Sequence, residues 1–313
     1  MVHEAVLSKK LNGRNVRCLA CEWKCKMKPG TVGVCGVRKN VAGKLVLLVW
    51  GRVTGVAVDP MEKKPLYHFL PGSPILSMGT VGCNFGCEFC QNFLESQKSK
   101  EKGIRVEELG EEVRSTDLVE YGVKNKIPAI AFTYNEPTIF SEWAVEVMKV
   151  AKKKGIRGVF VTNGYMSRET LDYLDNYIDA YNIDLKSFSD KFYQEVCRAK
   201  LKPVLNNIEE IYKRKKWVEV TTLIIPGKND SKKELKQIAK FLANISKDIV
   251  WHVSAFHPNY RMLDAESTSY EKLQEAVEVG KEAGLRYVYA GNIGEGNPMI
   301  EPKNRKGVRG IWE

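Results

Sequence analysis

From about residue 73 the chain alternates between short apolar runs and longer stretches in which apolar residues recur every three or four positions. The runs are "PILSMGTVG", "AIAFTYNEP", "GVFVTNG", "AYNIDLKS", "VEVTTLIIPG", "IVWHVSAFHP" and "RYVYAGN". Each has the length and the β-branched or aromatic content of a buried strand. Between them lie segments such as "RVEELGEEVRSTDLVEYGVKNK", "IFSEWAVEVMKVAKKKG", "DKFYQEVCRAK", "KKELKQIAKFLANIS" and "SYEKLQEAVEVGKEAG". Their spacing predicts amphipathic helices. Strand–helix repetition of this kind predicts parallel strands under covering helices. Six such units, with a seventh strand in "RYVYAGN", predict an α/β fold of the partial (β/α)6-barrel type. Ligands of such sheets meet the C-terminal ends of the strands. The polar endings "TYNEP", "TNG", "DLK", "PG" and "FHP", and a cysteine-rich loop after the first run, are therefore expected on one face.

Residues 1–72 break this rhythm. They carry four cysteines, then "KLVLLVWGRVTGVAVDP", two β-like runs that read as a hairpin. The expected division is a small β-rich, cysteine-bearing, metal-binding domain at 1–72, a barrel at 73–294 and a tail at 295–313.

Composition narrows the setting. No apolar run approaches the length of a bilayer span, and "MVHEAVLSKKLNGRN" lacks the apolar core of a secretory signal. A cytoplasmic location without membrane attachment is expected. In a reducing compartment, eight cysteines point to metal ligands or catalytic groups before disulfides. The net charge of +11 would suit nucleic acid or an acidic partner. However, the basic runs "AKKKG", "YKRKKW" and "PKNRKG" are scattered, and two lie where helices end and lysines suit the helix dipole. A solvated surface is the simpler reading, and nucleic acid is not expected as a partner.

The loop "GCNFGCEFC" places Cys83, Cys87 and Cys90 within eight positions and supplies no fourth ligand. Three thiolates can hold three corners of a cubane iron–sulfur cluster and leave one iron open to a small chelating molecule. The plainer alternative is a zinc knuckle completed by His68 or Cys197. With the positive charge, that alternative would make a zinc-dependent nucleic-acid-binding protein, and it leaves the polar strand ends unexplained. Cys18, Cys21, Cys25 and Cys35 complete a set of four, for which zinc, a second cluster and disulfides all stay open. "DPMEKKPLYHF" reads either as a wall near the cluster mouth or as a polar loop anchored by Tyr67 and Phe69.

These motifs resemble those of the radical S-adenosylmethionine (radical SAM) enzymes, in the cysteine spacing and in Phe89 before the last cysteine. "TYNEP" stands where that family has a Gly-Gly-Glu-Pro type segment, although Tyr134 and Asn135 replace the glycines. "VTNGY", "NIDLKSF" and "FHPNY" are similar to segments of the activases of glycyl-radical enzymes, including the pyruvate formate-lyase activating enzyme. Over residues 15–294 the chain resembles the AmmeMemoRadiSam-system radical enzymes, through "CLACEWKCKMKPGTVGVCGVRKN", "VDPMEKKPLYHFLPGS", "TVGCNFGCEFCQN", "FTYNEPTIF", "YNIDLKSF", "LIIPGKNDS" and "FHPNYRM". The cysteine-containing tail common in those enzymes is absent here.

The resemblance implies a [4Fe-4S] cluster on Cys83, Cys87 and Cys90, which reductively cleaves S-adenosylmethionine. The cofactor's neighbours would be Phe89, Asn135 and Glu136, the last two at the ammonium, with Thr162, Asn163, Asp184 and Lys186 near the ribose and carboxylate, and His257. The implied reaction is hydrogen abstraction from a protein or peptide, with modification of a small molecule as the nearby alternative. Implied partners are an electron donor such as ferredoxin or flavodoxin and, through the family name, AMMECR1-type and Memo-type proteins.

Overall fold

The computed structural model describes residues 3–293; the tail at 295–313 lies outside the described residues. Eight strands form one sheet whose order in space follows their order in the chain. They are β1 (Gly55–Pro60), β2 (Pro74–Gly79), β3 (Ala129–Phe132), β4 (Arg157–Thr162), β5 (Ala180–Asp184), β6 (Trp217–Ile224), β7 (Val250–Ala255) and β8 (Val288–Gly291). From β2 onward every pair is parallel, whereas β1 joins the edge antiparallel. Six helices make the crossovers: α1 (Ser115–Lys124), α2 (Ser141–Ala151), α3 (Arg168–Leu174), α4 (Leu201–Lys213), α5 (Lys232–Ile245) and α6 (Tyr270–Glu282). The expected partial (β/α) barrel is found, with all seven apolar runs as its parallel strands.

The parallel strands form where they do because both of their faces are covered, whereas β1, at the edge, leaves Val56 and Val58 exposed. All four residues of "AIAF" in β3 are buried, which requires the continuous apolar run that the sequence supplies. Outward-facing residues meet helices, and inward-facing ones fill the barrel. The helices begin where serines can cap them: Ser167, Ser231 and Ser269 each accept from a backbone N–H in the first turn of α3, α5 and α6.

Three local expectations are corrected. The helix read from 105 onward begins only at Ser115, because Gly110 turns with φ +74° and Glu111–Glu112 pairs with Arg52–Val53. The runs in "KLVLLVWGRVTGVAVDP" do not pair with each other. Lys44–Leu47 forms its hairpin with Arg38–Val41, and the second run is β1, on the barrel sheet. Finally, "DKFYQEVCRAK" is helical only to Cys197 and ends in a π-helical turn, Tyr193–Cys197, closed by Arg198 at φ +57°.

The N-terminal segment adds a small antiparallel sheet of Ser8–Lys10, Val16–Cys18 and Lys26–Met27. Its apolar residues belong to the same contiguous core as those of the barrel. A buried ion pair pins it down: Arg38 Nη1 donates to Glu142 Oε1 on α2 at 3.1 Å, while Nη2 donates to Oε2 and Nε to the Ile139 carbonyl at 2.7 Å. The Glu142 carboxylate also accepts from Leu7 N–H at 3.1 Å.

Residues 61–70 close the barrel at the N-terminal ends of its strands, opposite the cysteine loop. Met61 and Leu66 pack with Ile75, Ala129, Val159 and Ala180. The backbone N–H groups of Tyr67 and His68 donate to buried Glu219, at 2.9 Å each, which also takes Nε2 of His252 at 2.6 Å. "PLYHF" is thus the polar, anchored loop of the two readings, and His68 bonds the Tyr289 hydroxyl at 2.6 Å.

Candidate active site

The loop at 80–92 leaves β2 at its C-terminal end and lines a cavity of about 230 Å³ with the three thiols. Its shape is imposed from several sides. The Asn135 side chain is spent on it: Oδ1 accepts from Thr80 N–H at 3.1 Å, and Nδ2 donates to Thr80 Oγ1 at 3.0 Å and to the Gly82 carbonyl at 2.8 Å. Gly82 has φ +99°, and a Cβ there would lie 2.6 Å from Val37 Cγ1 and 2.8 Å from the Cys35 carbonyl. On the far side, Gly86 N–H donates to the Cys197 carbonyl at 2.9 Å and Glu88 N–H to the Val196 carbonyl at 3.1 Å. The π-helical turn therefore brackets Cys87.

All eight cysteines are free thiols, so no disulfide competes for them. Burial pushes the Cys83 thiol far up. Contact with Cys197, and then burial, do the same to Cys87. Burial also raises Cys90, whose sulfur lies 3.1 Å from Ser96 Oγ. Such thiols lose their protons to a metal, whose binding supplies the free energy that deprotonation costs. Lys186 helps by standing near Cys87 and Cys90. Burial works against its ammonium, but Asp184 and the Cys87 and Cys197 sulfurs hold its pKa well above the usual lysine value.

Most of the other expected residues line the same cavity: Phe89, Asn135, Glu136, Thr162, Asn163, Asp184 and Lys186. Glu136 Oε1 accepts from Thr138 N–H at 3.0 Å, from Thr138 Oγ1 and from Thr162 Oγ1 at 2.6 Å; Oε2 accepts only Asn163 N–H, at 2.7 Å. One lone-pair direction on Oε2 is therefore left for a ligand. Lys186 Nζ donates to Asp184 Oδ2 at 3.0 Å and sits 5.5 Å from the centre of the Phe89 ring. Tyr134 takes the left-handed conformation, φ +69°, that glycine adopts without strain. Tyr134 is held in that strained conformation by Asn92 Nδ2, which donates to its carbonyl at 2.9 Å, and by its own hydroxyl, which donates to Asp59 Oδ2 at 3.3 Å. His257 is set apart: its ring meets Ser267 Oγ at 3.4 Å and the Asn292 carbonyl at 3.1 Å, and it does not line the cavity.

Several cavity residues carried no sequence signal. Ser96 lies on the short helix Phe93–Gln97, and Thr221, Leu223 and Ser254 come from the inward faces of β6 and β7. An inward-facing serine or threonine looks like any other strand residue until the barrel is assembled.

A profile of the radical SAM superfamily matches residues 78–242. The chain belongs to the radical SAM superfamily. Over 293 residues this radical SAM enzyme is 39% identical to an uncharacterized protein of Methanocaldococcus jannaschii, covering 93% of this chain and 86% of that one. It is 29% identical over 217 residues to a protein of the same organism named as a glycyl-radical enzyme activating enzyme, covering 68% of this chain and 78% of that one. In fold it is similar to SuiB of Streptococcus suis, solved with S-adenosylmethionine bound. The TM-score is 0.51 at 11% identity, over 67% of this chain and 48% of that one.

The cofactors of the superfamily are a [4Fe-4S] cluster and S-adenosylmethionine, and the residues present fit them. Three free thiols share one wall of a cavity, which continues into an ammonium, carboxylates and amides suited to an amino-acid headgroup. Among the described residues no three Cys, His, Asp or Glu side chains close around a point where a single metal ion would sit. Also among the described residues, no helix is long and apolar enough to cross a membrane.

Proposed function

We propose that this radical SAM enzyme abstracts a hydrogen atom from a protein or peptide, in the manner of an activating enzyme. The observation that carries this reading is the convergence of Cys83, Cys87 and Cys90 with Asn163, Asp184 and Lys186 on one cavity at the strand ends. Kinship with a protein named as an activating enzyme supports the substrate class.

When bound, the cluster supplies one electron that splits S-adenosylmethionine into methionine and a 5′-deoxyadenosyl radical, which takes a hydrogen atom from substrate. The chain's own residues hold the reactants. Cys83, Cys87 and Cys90 would hold the cluster and leave it one position open to the cofactor. Glu136 would offer its remaining lone pair to the N–H of the cofactor's amino group. Lys186 and Asp184 would stand near its carboxylate and ribose, while Thr162 and Asn163 fix Glu136 and the loop. Phe89 and Leu223 give the cavity apolar wall, which limits water around a reactive radical. Asn135 acts through the loop rather than on the cofactor.

The electron comes from a carrier of the ferredoxin or flavodoxin class. AMMECR1-type and Memo-type proteins are the partners to test first, because the sequence resembles the system named for them. The test is anaerobic reconstitution with iron and sulfide, reduction by dithionite and chromatography for 5′-deoxyadenosine. Product in the wild type and none in Cys83→Ala is expected. Equal product in the two proteins would overturn the assignment.

A further inference from the structure

The segment "FHPNYRM" gives the active-site cavity no residue, yet its second half reaches the cysteine loop from outside. Arg261 N–H donates to the Glu88 carbonyl at 3.0 Å, and the Tyr260 ring stacks on Phe93 with 4.8 Å between centres. Beside them the outer surface of the loop forms a recess of about 250 Å³. Asn84, Phe85 and Gly86 line it from the loop, and Lys100, Arg198 and Arg261 surround them. Phe85 and Gln97 line both this recess and the cavity, so the loop is the wall between the two.

We propose that this recess is the docking site of an acidic ferredoxin, which reduces the cluster on Cys83, Cys87 and Cys90 through the loop from outside and leaves the cavity on the other side to cofactor and substrate. The inference rests on the reading of the three thiols as a cluster site served by a one-electron carrier.

Charge is the first support. Lys100, Arg198 and Arg261 come from three distant segments and are all exposed. Among the described residues no Asp or Glu lines the recess; Glu88, beside it, is taken by Arg198 Nη2 at 3.3 Å. Small ferredoxins carry a strongly negative surface, and carrier encounters are small, transient and steered by charge. Val34, 48% exposed, adds the apolar surface that a protein partner would cover. A nucleic acid would call for a long basic track instead of three cations around one loop.

Position is the second support. Lys100 Nζ donates to the Phe85 carbonyl, which also accepts from Gln97 Nε2 at 3.3 Å. Phe85 N–H donates to Cys83 Sγ at 3.3 Å. Through Phe85 the recess is therefore one hydrogen bond from a cluster-binding sulfur. The rim is also held under strain: Arg198 and Tyr260 keep left-handed backbones, at φ +57° and +53°. Strain of this kind persists only where surrounding contacts impose it, and it collects at functional sites. The transfer itself is one electron. The ferredoxin is oxidised as the enzyme's cluster is reduced, and no bond forms or breaks.

The test titrates the reconstituted holoenzyme with an acidic ferredoxin by calorimetry, at about 0.05 M and about 0.3 M salt. The wild type should bind, and more weakly at the higher salt. Arg198→Glu/Arg261→Glu should weaken binding at least about tenfold. Lys236→Glu/Lys240→Glu makes the same change of charge at exposed positions of α5 and should stay within about twofold of wild type. Equal losses in the two variants, or no binding by the wild type, would overturn the proposal. So would binding of a flavodoxin or of nucleic acid at this face with ferredoxin excluded. Should Arg198→Glu/Arg261→Glu not fold, hydrogen exchange on the wild type decides. Ferredoxin should protect the amides of residues 97–100 and 259–262, and protection only elsewhere refutes the site. Dithionite bypasses the carrier, so dithionite-driven formation of 5′-deoxyadenosine should be unchanged in Arg198→Glu/Arg261→Glu, and its loss there would refute a role confined to docking. Wild-type product with dithionite tests the proposed reaction, and ferredoxin binding tests the docking site, so the two failures are distinguishable.

Discussion

Replacing Arg38 by Met tests how the N-terminal segment is held to the barrel. Arg38 and Glu142 are 1% and 2% exposed, and the pair carries contacts to Ile139 and Leu7. Burial opposes the guanidinium charge, and Glu142 beside it more than restores it, so Arg38 keeps its charge. In Arg38→Met the Glu142 carboxylate stays buried with one backbone donor, a situation that costs about 3–5 kcal/mol. In Arg38→Met/Glu142→Leu no charge remains. What is left is one carbonyl and one N–H short of a partner, each costing about 1–3 kcal/mol at most. For a chain of 313 residues, an unfolding entropy of about 0.66 kcal/mol/K turns the single-variant loss into a melting shift of about 5–8 °C. Calorimetric melting at pH 7 is the assay. The double variant should recover part of the loss. A single variant that melts within about 2 °C of wild type, or a double variant that falls as far as the single, would refute this account of the attachment.

Three further outcomes are expected. At Asp59, burial favours the neutral acid, but Lys64 and Lys63, at 2.7 and 2.9 Å, outweigh it and hold the carboxyl well below the usual range. Its contribution is therefore present above about pH 4 and lost as pH falls through the depressed value. Asp59→Asn should be destabilised by about 3 kcal/mol at pH 7, with the gap to wild type closing in acid, as followed by urea denaturation at several pH values. His257→Ala should bind S-adenosylmethionine within about twofold of wild type by calorimetry, since its ring stands outside the cavity. Gly82→Ala should lose about 3 kcal/mol or more and hold less iron, because its Cβ meets Val37 and the Cys35 backbone at a positive φ.

The parallel strands were legible because each is buried on both faces, and a continuous apolar run such as "AIAF" has few other fates. The cysteine loop was legible because thiol spacing is local in the chain. What escaped was set by contacts between distant loops. Nothing around Asn84 announces that its side chain will accept from Asn163, and Cys197, read from the sequence only as a spare zinc ligand, lies in the turn that brackets Cys87. Glu136 was found by motif, but its dependence on Thr138, Thr162 and Asn163 needs the strands side by side. Gly110 was misread because a helical composition on both sides of it concealed a turn.

The attachment of the first forty residues has a consequence during synthesis. Leu7 waits for Glu142, 135 residues later, and Ala20 waits for Thr170, 150 residues later. At about 5–20 residues per second, the ribosome needs roughly 7–30 s to deliver those partners. For that interval the N-terminal thiols lie outside the shelter of the finished fold. Through that interval they are open to any metal or oxidant that reaches the nascent chain.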